Sequence, residues 1–237
     1  MSSWTTAGTP RIHPVIHVAG VAQVLSEIGK AVAHGVDGVF LIDHDADDAR
    51  LVRCVAAARE RHPGLFLGAN VIKRGPHAAL ALLHEAFPGG VPLDALWTDR
   101  AAVGLGGPEP EFERFAALRA GIGWHGLQFG GVAFKYQDPV PEAALPGLAR
   151  AVRDHVDVAT TSGPGTGQAA GRAKLEALRS GLGDRPLALA SGVTPGNVRL
   201  FAGLVDHILV STGINAPSGG IDERLLAALL RAVREDR

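Results

Sequence analysis

Residues 37–71, DGVFLIDHDADDARLVRCVAAARERHPGLFLGANV, carry the pattern that decides the fold. The run DGVFLID (37–43) has the length and apolar, β-branched character of a buried strand. The following ADDARLVRCVAAARERH (46–62) has helical period, with carboxylates at its start and cations at its end, as the helix dipole favours. LFLGANV (65–71) is then a second buried strand. Two continuous apolar strands joined by a helix form a right-handed parallel unit, because a crossover of this length returns the chain beside its own start.

The same alternation runs the length of the chain. Strands are expected at 11–18, 37–43, 65–71, 94–99, 126–134, 156–162, 187–191 and 206–211, each followed by a helix candidate, the last being DERLLAALLRAVRE (222–235). Strands two, four, six and eight open at Asp37, Asp94, Asp157 and Asp206, a weak internal repeat of two strand–helix units. Eight units close a barrel, whereas an open doubly wound sheet uses about six strands. The expectation is α/β class, a single (β/α)8 TIM barrel over 11–237, with 1–10 an irregular N-terminal segment.

Composition narrows the function. Of 237 residues, 46% are hydrophobic, enough for a large core. The net charge of −1 supplies no basic surface for nucleic acid. No stretch reaches the roughly 20 apolar residues of a membrane span, and MSSWTTAGTP lacks the character of a secretory signal, so a cytoplasmic location is expected. The single cysteine, Cys54, sits on an apolar helical face and reads as core. Trp4, Trp97 and Trp124 fit core, cap or interface positions alike, which leaves a homo-oligomer open.

In a barrel, chemistry belongs to the residues that end the strands. Those residues include His17, Asp43 with His44 and Asp45, Asn70, Asp99, Lys135, Thr161 with Ser162, Ser191, and Ser211. The chain holds 19 arginines but four lysines, so a lysine at a strand end, Lys135, is singled out for its compact amine. Asp45, Asp47 and Asp48 read as caps of the following helix, and the histidines away from strand ends, His207 among them, as surface residues. His13 and His17, four apart on one strand, lie about 13 Å apart and cannot share a metal.

Three glycine-rich loops, SGPGTG (162–167), SGVTPGN (191–197) and STG (211–213), follow the last three strands, where barrels commonly hold phosphate. Thr194-Pro195 reads as the N-cap and first residue of a helix that would aim amides at an anion. GTGQAA (165–170) also matches a dinucleotide-binding pattern, but no acidic residue ends the next strand, which closes at Ser191.

GANVIKRG (68–75), FGGVAFKYQ (129–137), TSGPGTG (161–167), SGVTPGN (191–197) and GGID (219–222) resemble the BtpA/SgcQ group of phosphate-binding TIM barrels. SGVTPGN is also similar to the phosphate loop of phosphoribosylanthranilate isomerase and related phosphosugar barrels. The resemblance implies a (β/α)8 fold and a phosphate-type pocket bearing Asn70, Lys135, Thr161, Ser162, Gly163, Thr166, Gly192 and Asn197. His17-Val18-Ala19-Gly20 and Asp43-His44-Asp45 stand where that group carries longer motifs, and its lysine near Asn215 is missing.

The expectation is an enzyme of isomerase or lyase type for a small phosphorylated metabolite, a phosphosugar or nucleotide-derived compound. Phosphate would rest on Thr161, Ser162, Gly163, Thr166, Gly192, Asn197, Ser211 and Gly213. Asp43 would be general base and Lys135 electrostatic stabiliser or Schiff-base former, with His17, Asn70 and Asp99 orienting the substrate. No metal and no organic cofactor are expected. The alternatives are a non-catalytic barrel for assembly or regulation, as the resemblance allows, and a divalent-metal hydrolase built on Asp43, His44 and Asp99.

Overall fold

Eight short strands, each too apolar to face water on either side, pair in parallel until the first meets the last. A computed structural model describes residues 8–234, so Trp4 and most of the expected N-terminal segment lie outside the described residues. The strands are β1 Arg11–His17, β2 Val39–Ile42, β3 Leu67–Asn70, β4 Ala95–Thr98, β5 Leu127–Gly131, β6 Val158–Ser162, β7 Leu187–Ala190 and β8 His207–Val210. Around them run α1 Val21–Ala33, α2 Asp48–Arg61, α3 Pro76–Ala86, α4 Pro110–Gly121, α5 Leu145–Val152, α6 Arg172–Leu182 and α7 Glu223–Arg234. A small hairpin, Val103–Gly104 against Gly107–Pro108, precedes α4. The expected closed (β/α)8 barrel is the fold found.

One expected helix is absent. After β7 the chain makes a turn and one 3-10 turn, Val198–Phe201. Thr194 does not cap it: the Asn197 side chain folds back, its Oδ1 accepting from the Thr194 amide at 2.7 Å and its Nδ2 donating to the Gly192 carbonyl at 2.8 Å. So short a segment carries little helix dipole.

The apolar residues divide into two layers. Ile16, Leu41, Leu96, Ala159, Leu189 and Val210 face outward onto helix residues such as Ile28, Leu51, Leu80 and Leu175. Val15, Phe40, Ile42, Trp97, Phe129, Val158, Ala190 and Leu209 fill the barrel itself. Cys54 is wholly buried between α2 and the sheet, as its helical face requires.

At the N-terminal end of the barrel the four aspartates of the sequence repeat share one task. Asp37 accepts from the Ile12 amide, Asp94 from Leu67, Asp157 from Gln128 and Asp206 from Leu187, at 2.8–2.9 Å. Each carboxylate at the start of an even strand thereby ties down the odd strand before it. Three are also gripped by arginines spaced 60 residues apart, Arg59, Arg119 and Arg179, whose guanidiniums reach neighbouring carbonyls as well. Arg234 of α7 takes the fourth station and donates to the Gly35 carbonyl beside Asp37.

His207 is a correction to the expected surface placement. It faces into the barrel floor at 0% exposure, its Nδ1 3.1 Å from Nε2 of His13, with Phe129 edge-on to it. His13 also packs against Phe40 and Phe66. An even-strand residue next to an opening aspartate points inward, so the strand start is interior.

Two outcomes follow. Asp206→Ala strips a nearly buried carboxylate from Arg179 and from the Leu187 amide, and should cost about 3 kcal/mol, read as a lowered urea midpoint. Burial, then His207 and Arg11, hold the His13 pKa well below its ordinary 6.5. The unfolded chain therefore takes up a proton near pH 6.5 that the folded chain refuses, so stability is level above that pH and falls as pH drops through it. Melting temperature should decline from pH 7 to pH 5, and His13→Phe should flatten part of that slope.

Candidate active site

Strand parity decides which strand-ending residues reach the mouth. Side chains alternate between the helix layer and the interior. Val15, Trp97, Val158 and Leu209 belong to the interior, so His17, Asp99, Ser162 and Ser211, an even number of residues further on, also face inward. Asn70 lies between the outward Ala69 and Val71 and is interior too. Five strands thus deliver five polar side chains to one opening.

The same rule removes two expected site residues. Asp43 follows the inward Ile42 and therefore points outward to α2. Its oxygens accept from Arg50 Nε at 2.6 Å, Arg50 Nη2 at 2.7 Å and the Asp45 amide at 3.0 Å. The Arg50 guanidinium holds its carboxyl below the usual range, against the raising effect of burial. A carboxylate so occupied is a weak proton acceptor, so the expected general base is a fastener of the β2–α2 loop. Thr161 likewise faces outward, its hydroxyl toward the Ala133 carbonyl at 3.4 Å. The ligand set Asp43, His44 and Asp99 is not brought together, and among the described residues no group of three His, Cys, Asp or Glu could hold a metal. Of the three aspartates expected to cap α2, Asp47 does so through the Arg50 amide, whereas Asp45 pairs with the Arg50 side chain and Asp48 with Arg74.

On one wall of the mouth, buried Asn70 donates from Nδ2 to Asp99 Oδ1 at 3.0 Å. Where β1 meets β8, His17 lies 3.1 Å from Ser211 Oγ through Nε2, with the His44 ring edge-on at 4.4 Å between centroids. The His17 ring has an exposed edge, yet burial within the mouth, then His44 and Lys135, pull its pKa below the ordinary imidazole value. At neutral pH it is uncharged. Two residues beneath Asp99 and Ser162, Trp97 Nε1 and Thr160 Oγ1 are buried with no hydrogen-bond partner among the described residues.

Lys135 forms the other wall. Its Nζ donates to Thr166 Oγ1 and Ser191 Oγ, each at 3.2 Å, and lies 5.9 and 5.7 Å from the centroids of the Phe134 and Tyr136 rings. The exposed Tyr136 hydroxyl reaches Thr166 at 3.0 Å, and that contact lowers its pKa. No carboxylate pairs with Lys135 among the described residues, so its charge is available to an anion. Ser162 is used internally: its Oγ accepts from the Lys135 amide at 2.8 Å and donates to the Gly163 carbonyl at 2.9 Å.

The glycine-rich loops interlock. A Cβ on Gly163 would stand 2.1 Å from the Gln168 carbonyl oxygen, and one on Gly192, whose φ is +70°, 2.0 Å from the Ala169 nitrogen. A Cβ on Gly213 would strike the Val193 carbonyl oxygen. The loops after β6, β7 and β8 therefore form one continuous wall, braced from within by Asn197. Lys174 of α6, which no strand-end reading can find, donates to the Ala133 and Ser162 carbonyls at 2.5 and 2.7 Å and ties β5 to β6 beneath that wall. Burial pulls its pKa below the ordinary lysine value.

No family model matches the sequence, and no curated protein does. Solved structures do share the fold. Phosphoribosyl anthranilate isomerase from Thermus thermophilus superposes with a TM-score of 0.63 at 17% identity, covering 96% of this chain and 100% of that one. KGPDC from Streptococcus mutans gives 0.66 at 11% identity over 96% and 98%. Thiamine phosphate pyrophosphorylase from Pyrococcus furiosus gives 0.65 at 14% over 95% and 96%. Among the described residues no helix is long and apolar enough to cross a membrane. These likenesses show that the chain is a (β/α)8 barrel shared with several unrelated reactions.

Proposed function

We propose that the protein is an enzyme that binds a small phosphorylated metabolite at the barrel mouth and moves a proton on it, in an isomerase- or lyase-type reaction. The observation that carries this reading is the pairing, across one opening, of an ammonium without a carboxylate partner and a wall of inward polar groups. The phosphate end would meet Lys135, Thr166 and Ser191, against the wall that Gly163, Gly192 and Gly213 allow to pack. The reacting end would meet Asp99, whose Oδ1 is held by Asn70, and neutral His17. Asp99 takes the role of base that Asp43 was expected to fill. Lys135 acts as an anchoring charge for the phosphate. The BtpA/SgcQ resemblance of the loops at 161–167 and 191–197 belongs to this proposal, and barrels named for phosphorylated compounds among the structural neighbours support it.

The test is a thermal-shift series with inorganic phosphate, sugar phosphates and nucleoside monophosphates. A ligand at about 100 times its Kd should add roughly 2.7 kcal/mol of stability, and Lys135→Met should abolish the shift. Asp99→Asn should keep the shift yet slow solvent deuterium exchange into the bound compound by about 10²-fold or more. No shift from any phosphorylated compound would overturn the reading.

A further inference from the structure

Ser211 differs from the other serines of the mouth in what surrounds its hydroxyl. Ser162 is spent on backbone partners, and Ser191 receives the Lys135 ammonium. Ser211 Oγ instead lies 3.1 Å from His17 Nε2, and the Asn215 amide donates to the same oxygen at 3.1 Å. The Asn215 nitrogen has only hydrogens to offer, so it occupies one lone pair of Oγ, and in the His17 tautomer that carries its proton on Nδ1 the serine proton is directed at Nε2. Parity aims Ser211 into the mouth, and the contact with His17 lies open to solvent. A hydroxyl in hydrogen bond with a neutral, accessible imidazole is the arrangement of an activated nucleophile.

We propose that Ser211 and His17 form a nucleophile–base pair, held by Asn215, that gives the barrel acyl-transfer activity toward small carboxylic esters. Ser211 Oγ attacks the ester carbonyl carbon, forming the Oγ–C bond, while its proton passes to His17 Nε2 and the carbonyl electron pair moves onto oxygen. The Lys135 ammonium, held at the mouth by Thr166 and Ser191 with no carboxylate partner among the described residues, is the charge available to that oxyanion. The pair returns, the bond to the leaving alkoxide breaks, and the alkoxide takes the proton from Nε2. Water then repeats the sequence on the acyl-serine, releasing the carboxylic acid and restoring Ser211. Nothing in this step depends on a phosphorylated substrate.

The experiment treats the full chain with an alkyl fluorophosphonate, which labels activated serines with loss of fluoride. The expected result is one adduct by intact mass, mapped to Ser211, and a matching burst of p-nitrophenol from p-nitrophenyl acetate. Ser211→Ala should lose the adduct, while Ser180→Ala, on the outer face of α6, should label as the parent does. His17→Gln should slow labelling by about 10²-fold, the contribution typical of a positioned base. The labelling rate should fall as pH drops below the ordinary imidazole range, because His17 then gains its proton. Failure of the parent protein to label, an adduct elsewhere, or Ser211 labelling that is indifferent to His17→Gln would each overturn the proposal.

Discussion

The barrel stands on a carboxylate accepting a backbone amide, repeated four times. At Asp37, Asp94, Asp157 and Asp206 a side chain at the start of one strand takes the first free N–H of the strand before it. In a parallel sheet the hydrogen-bond ladder alone permits slippage, and a slip of one residue would exchange the interior and exterior faces. A charged acceptor placed at the strand start makes the native register the one in which a buried amide is satisfied. Arg59, Arg119 and Arg179 pair with three of these carboxylates, and at Asp206, the nearly buried one, the arginine keeps the charge from being stranded.

Register fixed at the floor is expressed at the mouth. Each strand is four to seven residues long, so the parity set by the opening aspartate persists to the last residue of the ladder. It places Asn70 and Asp99 in hydrogen-bonding contact across two strands and brings His17 of β1 beside Ser211 of β8, 194 residues away in sequence. The Phe40, Trp97 and Phe129 rings between floor and mouth fill the barrel and transmit that geometry without slack.

The strands were readable because a buried parallel strand has little choice but to be apolar, and the eight runs survive with no end shifted by more than three residues. Asp43 and Asp99 show where that legibility stops. Both end an apolar run, yet one faces a helix and the other the mouth, and only the ladder reveals that Ile42 and Trp97 are the interior neighbours that decide it. Arg50, seven residues beyond Asp43, was legible as a helix residue but not as its partner. Asn197 misled for a related reason: its amide suits an anion, but the turn it follows needs both of its polar atoms. Lys174 was hidden because its helix position says nothing of the two carbonyls left exposed where β5 and β6 end.

The interlocked loops after β6, β7 and β8 divide the rim into two mechanical halves. Gly163 and Gly192 both rest on the Gln168–Ala169 backbone, and Gly213 on Val193, so the three loops behave as a single body. The side chains facing that body from β1, β3 and β4 sit on separately connected segments. Whatever is gripped by the joined loops is therefore held in a fixed frame, while Asn70 and Asp99 opposite sit on loops that can be re-cut without disturbing the grip, and His17, in contact with Ser211 of the joined body, ties the two halves together. Change on the β3–β4 side is in this way separable from attachment, and change at His17 is not.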